Sequence, residues 1–382
     1  MAAVIFWCSV ALIVYAYLGY PCVLHVLSLL KTRCVRRGPV RVRVSFIITA
    51  RNEAAGIAEK IDNTLSQDYP ADQLEIIVAS DCSTDATDEI VRSYAPRVRL
   101  VRASTRGGKE AAQRLAVEAS SGQLLIFSDV ATALASCGVS SLVRNFADST
   151  VGCVSSIDRF VDADGEPSGE GAYVRYEMLL RQLETRVNTL VGLSGSLFAA
   201  RREVCRHWSS DRQSDFTILL RAVEMGYRGV LDPHSAGFYR NVTDSRHEFA
   251  RKIRTVVRGL AVLAANVRML NPLQFGLFAW QLGSHKLCRW LVPFAMLLAL
   301  LANASLLSVS ATYSILFAAQ LGFYAAAAIG LWTNHRALRL PGFLVLANLA
   351  VLAAWFRFVR GERMAAWNPS ERTAVLPQVN VR

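Results

Sequence analysis

The alternation of apolar and polar positions divides the chain into three parts. Val4–Leu30 is almost continuously apolar, broken mainly by His25, and is followed by Lys31, Arg33, Arg36, Arg37, Arg41 and Arg43. A hydrocarbon core takes about 20 helical residues, so residues 1–30 read as an N-terminal transmembrane helix. A cleaved signal peptide is the competing reading, but it carries its cations before the apolar run and here they follow it. The positive-inside rule puts the N-terminus outside and the chain after Leu30 in the cytoplasm. At the other end, Leu291–Leu307, Ile315–Trp332 and Phe343–Phe356 are apolar runs. They predict about three C-terminal transmembrane helices over residues 291–356. The connection Ser308–Ser314 is uncharged and the next carries His335, Arg336 and Arg339, as expected of an outside and then an inside loop. The last run is short and precedes Arg357, Arg360 and Arg363. Counting spans puts the basic tail, residues 357–382, outside, whereas the charge rule puts it inside. A re-entrant or interfacial helix competes there with a fourth span. Residues 261–290 read as interfacial helices, because Asn271–Leu287 mixes apolar residues with Gln281, His285 and Lys286.

Between these ends the pattern changes to short buried strands and amphipathic helices. Val42–Thr49, Leu74–Ala79, Val98–Arg102 and Gln123–Ser128 read as strands. Ala54–Gln67, Ala86–Tyr94 and Lys109–Ser120 read as the helices between them. Strands alternating with helices of about 10–15 residues predict an α/β domain with a mainly parallel, doubly wound sheet. Such sheets bind ligands beyond the carboxyl ends of their strands. All four strands end in polar clusters: Arg51-Asn52-Glu53, Asp81-Cys82-Ser83, Arg106–Lys109 and Asp129. Ordinary loop solvation explains one or two such clusters more easily than four.

Composition sharpens this division. The 382 residues carry a net charge of +12. Yet 28 of the 30 acids lie between Glu53 and Glu248, beside 21 basic residues, so the central block is −7 and the flanks are +19. The cations therefore sit beside apolar runs, which argues for a lipid bilayer and against nucleic acid as the partner. A hydrophobic content of 53% excludes a disordered chain. The eight cysteines contain no C-x-x-C, so zinc and thioredoxin-like chemistry have no support. The runs after Phe249 hold no acid, which disfavours a transporter. Asn241-Val-Thr243 and Asn303-Ala-Ser305 match the glycosylation sequon but fall in a cytoplasmic and a membrane segment, and read as chance.

There is no G-x-x-x-x-G-K-[ST] and no G-x-G-x-x-G. Gly107-Gly108-Lys109 is the only glycine-rich basic loop. Beside three acidic strand ends it suits a nucleotide held through ribose and base, with a metal on the diphosphate.

Taken together, Thr49-Ala-Arg-Asn-Glu53, Ser80-Asp-Cys-Ser-Thr-Asp85, Gly107-Gly-Lys109, Phe127-Ser-Asp129, Gly195-Ser-Leu-Phe-Ala-Ala-Arg201, Ser214-Asp215 and Gly226-Tyr227 resemble glycosyltransferase family 2, in its membrane-anchored polysaccharide-synthase branch. The resemblance spans about residues 41–260. It implies a GT-A, Rossmann-like fold and inverting transfer from a nucleotide-diphosphate sugar, here a UDP-sugar. It implies that Glu53 and Asp81 hold uracil and ribose, and that Lys109 lies near the nucleotide. Asp129 would be the first acid of the D-x-D motif and meet Mg²⁺ or Mn²⁺. Ala131 stands where the second acid belongs, so water and substrate oxygens would fill that ligand position. Asp215 would be the general base that deprotonates the acceptor hydroxyl; Ser214 or Asp215 as an N-cap is the bland alternative. Gly195-Ser196-Leu197 would form the acceptor-side loop, with Tyr173, Arg175 and Glu177 on the stretch before it. Arg254, in Arg251-Lys-Ile-Arg254-Thr255, keeps the cation of the family's Q-x-x-R-W and would meet the diphosphate. The lost Trp counts against long processive synthesis, and a basic juxtamembrane helix is the alternative for this segment. His234 reads as structural. The expected protein is an inner-membrane enzyme acting on a growing glycan or lipid-linked acceptor. Transfer of one sugar to a polyprenyl phosphate and a catalytically inactive nucleotide-sugar or glycan sensor are the competing readings.

Overall fold

The computed structural model describes residues 1–161, 172–240, 245–333 and 338–362. The sequon at 241–243, His335, Arg336 and the tail beyond Glu362 lie outside the described residues. The chain forms two compact units, passing between them at Val26/Leu27 and at Thr243/Asp244.

The chain opens with α1 (Ala2–Val14), a π-helical turn at Tyr15–Gly19 and α2 (Tyr20–Leu30). The central unit then runs β1 (Val44–Ala50), α3 (Ile57–Leu65), β2 (Leu74–Ser80), α4 (Thr87–Ser93), β3 (Val98–Arg102), α5 (Lys109–Ala119) and β4 (Leu124–Asp129). These are the four strands and three helices that the apolar pattern predicts, to within a few residues. It continues with β5 (Ala133–Leu134), α6 (Gly138–Val143), β6 (Val151–Val161), α7 (Ala172–Val187), β7 (Leu197–Arg201), α8 (Ser214–Glu224) and β8 (Arg228–Arg240). The eight strands form one sheet in the order β3-β2-β1-β4-β7-β6-β8-β5. The β3-β2-β1-β4 portion is parallel. β7 is antiparallel to both its neighbours, β6 and β8 are parallel, and β5 is antiparallel to β8. The sheet is therefore mixed and mostly parallel.

Both faces of the sheet are covered, which is why its strands read as continuous apolar runs. Phe46, Ile48, Ile76, Val78, Leu124 and Ile126 pack on one face with Ile57, Ile61 and Val91. The intervening Ile47, Ile77, Leu125 and Phe127 pack on the other with Ala112, Ala116 and Leu219. The register pairs Thr49 with Ala79 and with Asp129, and Ser80 with Arg102. The polar strand ends thus fall at one edge.

The second unit continues with α9 (Ser245–Ala265), α10 (Pro272–Phe275), α11 (Leu277–Leu282), α12 (Arg289–Ala304), α13 (Ala311–Thr333) and α14 (Arg339–Val359). Among the described residues, four helices are long and apolar enough to cross a membrane: Ala2–Leu30, Leu277–Ala304, Ala311–Thr333 and Arg339–Val359. The second begins well before the apolar run at 291, because a π-helical turn at Gly283–Cys288 joins α11 to α12. Polar side chains tie these helices together. Trp280 Nε1 donates to Tyr15 Oη at 2.9 Å, Asn348 Nδ2 donates to Tyr17 Oη at 3.0 Å, and Trp355 Nε1 donates to the Trp290 carbonyl at 2.9 Å. Between helices in lipid such bonds are worth about 1 kcal/mol each.

Candidate active site

The site forms at the carboxyl edge of β1, β2 and β4, where a parallel sheet leaves a crevice. The β1 and β2 ends are tied to each other by their own polar atoms. Asn52 Oδ1 accepts from the Thr84 amide at 2.8 Å, Glu53 N donates to Thr87 Oγ1 at 2.8 Å, and Ala54 N donates to Asp85 Oδ2 at 3.0 Å. Arg51 Nη1 donates to the carbonyls of Asp81 and Cys82 at 2.6 and 3.1 Å. Asn52 and Cys82 have φ of +51° and +56°, a conformation that non-glycine residues adopt at a cost and that recurs at functional sites. Hydrogen bonds from Thr87 and Ala54 hold the Asp85 carboxyl below its ordinary range, against the desolvation that would raise it.

Asp81 is fully buried. Its Oδ1 accepts from the Gly107 amide at 2.8 Å and its Oδ2 from the Gly108 amide at 3.0 Å. The two glycines are needed for this approach. Gly108 has φ of +88°, and a Cβ on Gly107 would lie 2.7 Å from Ala111 Cβ. The β2 carboxylate therefore anchors the loop that starts α5.

That loop delivers Lys109, whose Nζ donates to Asp129 Oδ1 at 2.5 Å and to the Gly195 carbonyl at 2.8 Å. Asp129 ends β4, and its amide donates to the Ser196 carbonyl at 3.0 Å. Gly195 in turn faces Asp215: a Cβ there would sit 3.1 Å from Asp215 Oδ2. Asp215 accepts from the Phe216 amide at 2.9 Å and from Gln213 Nε2 at 3.1 Å. The N-cap alternative is not what forms. α8 starts at Ser214, Gln213 holds the cap position without a side-chain cap bond, and Asp215 lies in the first turn.

The structure thus brings Asp81, Lys109, Asp129, Gly195, Ser196 and Asp215 into one connected constellation, with Glu53 on the adjoining β1 loop. Leu197 is not loop but the first residue of β7, paired to Ser128. Arg254 belongs to the other unit, on α9. It is part-buried and held below its ordinary pKa by burial and then by Arg258 and Arg251. Tyr173, Arg175 and Glu177 lie on α7. His234 donates its amide to Asp232.

Two residues of this region escape the sequence reading. Lys60 is fully buried on α3; its Nζ donates to the Thr132 carbonyl at 2.5 Å and lies 5.2 Å from the centre of the Phe46 ring. Burial lowers its pKa to about 7, partly offset by the charge of Asp129. Its place between Ile57 and Thr64 on one helical face was the available signal. Asp158, near the end of β6, accepts from Ser194 Oγ at 2.5 Å and from Ser196 Oγ at 3.4 Å. It repeats the strand-end pattern on a strand that the apolar reading does not reach.

No group of three His, Cys, Asp or Glu side chains capable of holding a metal occurs among the described residues. Asp129 is part-exposed, and among the described residues no donor reaches its Oδ2. One carboxylate oxygen at a crevice fits a divalent cation that takes its remaining ligands from water and a substrate diphosphate.

Residues 45–208 match the family model for glycosyl transferase family 2. A beta-monoglucosyldiacylglycerol synthase of Nostoc sp. is 26% identical over 182 residues, covering 45% of this chain and 39% of that protein. A dolichyl-phosphate beta-glucosyltransferase of Trichomonas vaginalis is 34% identical over 100 residues, 24% of this chain and 30% of that one. The chain thus spans well under half the length of these curated relatives. Among solved structures, a mannosyltransferase from Pyrobaculum calidifontis, in complex with GDP-mannose and Mn²⁺, is similar over 95% of this chain and 100% of its own, at 25% identity and a TM-score of 0.73. A strand-end constellation on a mixed, mostly parallel sheet, the matched domain and this structural likeness agree on a glycosyl transferase family 2 domain over residues 45–208.

Proposed function

We propose that the chain is an inverting glycosyltransferase that moves a sugar from a UDP-sugar to a glycan or lipid-linked acceptor at the inner membrane, with its central unit in the cytoplasm. The observation that carries the reading is the Lys109–Gly195–Asp215 arrangement. A cation paired to Asp129 and a carboxylate in the first turn of a helix flank the same glycine.

In this reading Glu53 and Asp81 face the uracil and ribose. Asp81 has both oxygens engaged by the glycine loop, so it positions that loop as well as the nucleotide. Lys109 balances charge on the diphosphate. Asp129 would hold Mg²⁺ or Mn²⁺, which when bound neutralises charge on the leaving diphosphate. Asp215 takes the proton of the acceptor hydroxyl as that oxygen attacks the anomeric carbon. Such general-base assistance contributes about 10²–10⁴-fold. Gly195 leaves room for the attack beside the base, and Ser196 lines the acceptor side. A nucleotide-release assay on the membrane-reconstituted chain, across UDP-sugars and GDP-mannose, with and without Mn²⁺, tests this. Release from a UDP-sugar is expected. Release from GDP-mannose alone would overturn the donor, and no release from any nucleotide sugar would overturn the reading.

A further inference from the structure

The geometry points to Asp158 as a second carboxylate of the site, one that binds a hydroxyl of the acceptor. This rests on the glycosyl-transfer reading above. Three groups already converge on the tripeptide Ser194-Gly195-Ser196: Lys109 on the Gly195 carbonyl, the Asp129 amide on the Ser196 carbonyl, and Asp215 against the Gly195 Cα. Asp158 is the fourth, and the only one that takes its two side-chain hydroxyls.

Its surroundings separate the two carboxylate oxygens. Ser194 is buried, and its amide donates to Ser155 Oγ at 2.8 Å. Arg181 Nη1 donates to the same Ser155 hydroxyl at 3.4 Å. Oδ1 of Asp158 is thus held by a hydroxyl that is itself fixed to β6. Oδ2 meets no donor among the described residues, and the side chain is part-exposed. An ionised carboxylate only accepts hydrogen bonds and has about four lone-pair sites. Such a group recognises a ligand rich in hydroxyls, and here it stands on the tripeptide that Asp215 also touches. A polyhydroxylated acceptor held at one hydroxyl by Asp158 presents a second to Asp215. Holding the nucleophile in this way supplies orientation, which a base alone does not.

Asp158 is accordingly expected to govern acceptor use and not donor use. The test compares wild type, Asp158→Asn and Asp158→Glu, all as full-length chain in nanodiscs. Three quantities are read: UDP-sugar affinity by calorimetry, transfer of the sugar to water, and transfer to octyl glucoside as a probe acceptor. For Asp158→Asn the expected result is donor affinity and hydrolysis within about twofold of wild type, with acceptor KM raised at least tenfold. Partial recovery is expected in Asp158→Glu. Ser194→Ala, which removes the clamp on Oδ1 but keeps the carboxylate, should give a smaller rise. Donor affinity lost in parallel with transfer, or a changed Mn²⁺ requirement, would overturn the inference in favour of a donor-side role. An unchanged acceptor KM would overturn it outright. Wild-type hydrolysis of the donor reads the glycosyl-transfer reading separately from the role of Asp158.

Discussion

Asp81→Asn tests how the glycine loop is held. In the wild type the buried carboxylate receives two amide hydrogens, from Gly107 at 2.8 Å and Gly108 at 3.0 Å. An asparagine of the same size has one acceptor and turns an NH₂ toward the other amide. One charge-assisted bond is lost, worth about 1.5–3 kcal/mol, and a buried donor is left unmatched at a further 1–3 kcal/mol or so. The structure gives no route to relief, since Asp81 is at 0% exposure and Gly107 abuts Ala111. A loss of about 4 kcal/mol follows. At roughly 2–4 °C per kcal/mol for a unit of this size, the unfolding midpoint of the central unit should fall by about 10 °C, followed by tryptophan fluorescence in nanodiscs. Because the loop carries Lys109, donor affinity should fall at least tenfold. A variant with the wild-type midpoint and wild-type affinity would refute the claim that this carboxylate organises the loop.

Gly195→Ala puts a methyl group 3.1 Å from Asp215 Oδ2; turnover should fall at least tenfold while the unfolding midpoint moves by only a few degrees, and unchanged turnover would contradict the close approach. Lys60→Met concerns a group whose folded pKa is about 7 against 10.5 for the free side chain. The unfolded chain binds more protons between those values, so the group's contribution to stability rises with pH across that window and is lowest below about 7. The wild type should therefore gain up to about 1.4 kcal/mol per pH unit relative to Lys60→Met between pH 7 and 10; parallel midpoint-versus-pH curves would contradict the buried charge. In the wild type Mn²⁺ should tighten donor binding measured by calorimetry and Asp129→Asn should abolish that effect; its retention in the variant would remove Asp129 from the metal.

The parallel half of the domain was legible because β1 to β4 are buried on both faces and joined by local helices, so each is a compact apolar run. Beyond β4 the order depends on pairings distant in sequence. β7 inserts beside β4 through contacts such as Phe127 on Phe198, whose rings stack at 4.8 Å, and no local pattern announces that. For the same reason Gly195-Ser196-Leu197 read as loop although Leu197 is strand. The acidic strand ends were visible as single residues, but their joint use of one tripeptide was not. Asp158 was missed because β6 ends beyond the region in which strands were assigned. Lys60 was missed because a lysine in an amphipathic helix is normally solvated, and here the Thr132 carbonyl and the Phe46 ring offer it an interior seat.

The central claim is that Asp215 acts as the base of sugar transfer, and Asp215→Asn tests it most directly. Asparagine keeps an oxygen for the Phe216 amide at 2.9 Å and keeps the shape beside Gly195, but it accepts no proton. Single-turnover transfer from a UDP-sugar, measured with calorimetric donor binding on the same sample, should fall by about 10²–10⁴-fold at unchanged donor affinity. Transfer within a fewfold of wild type would contradict the account.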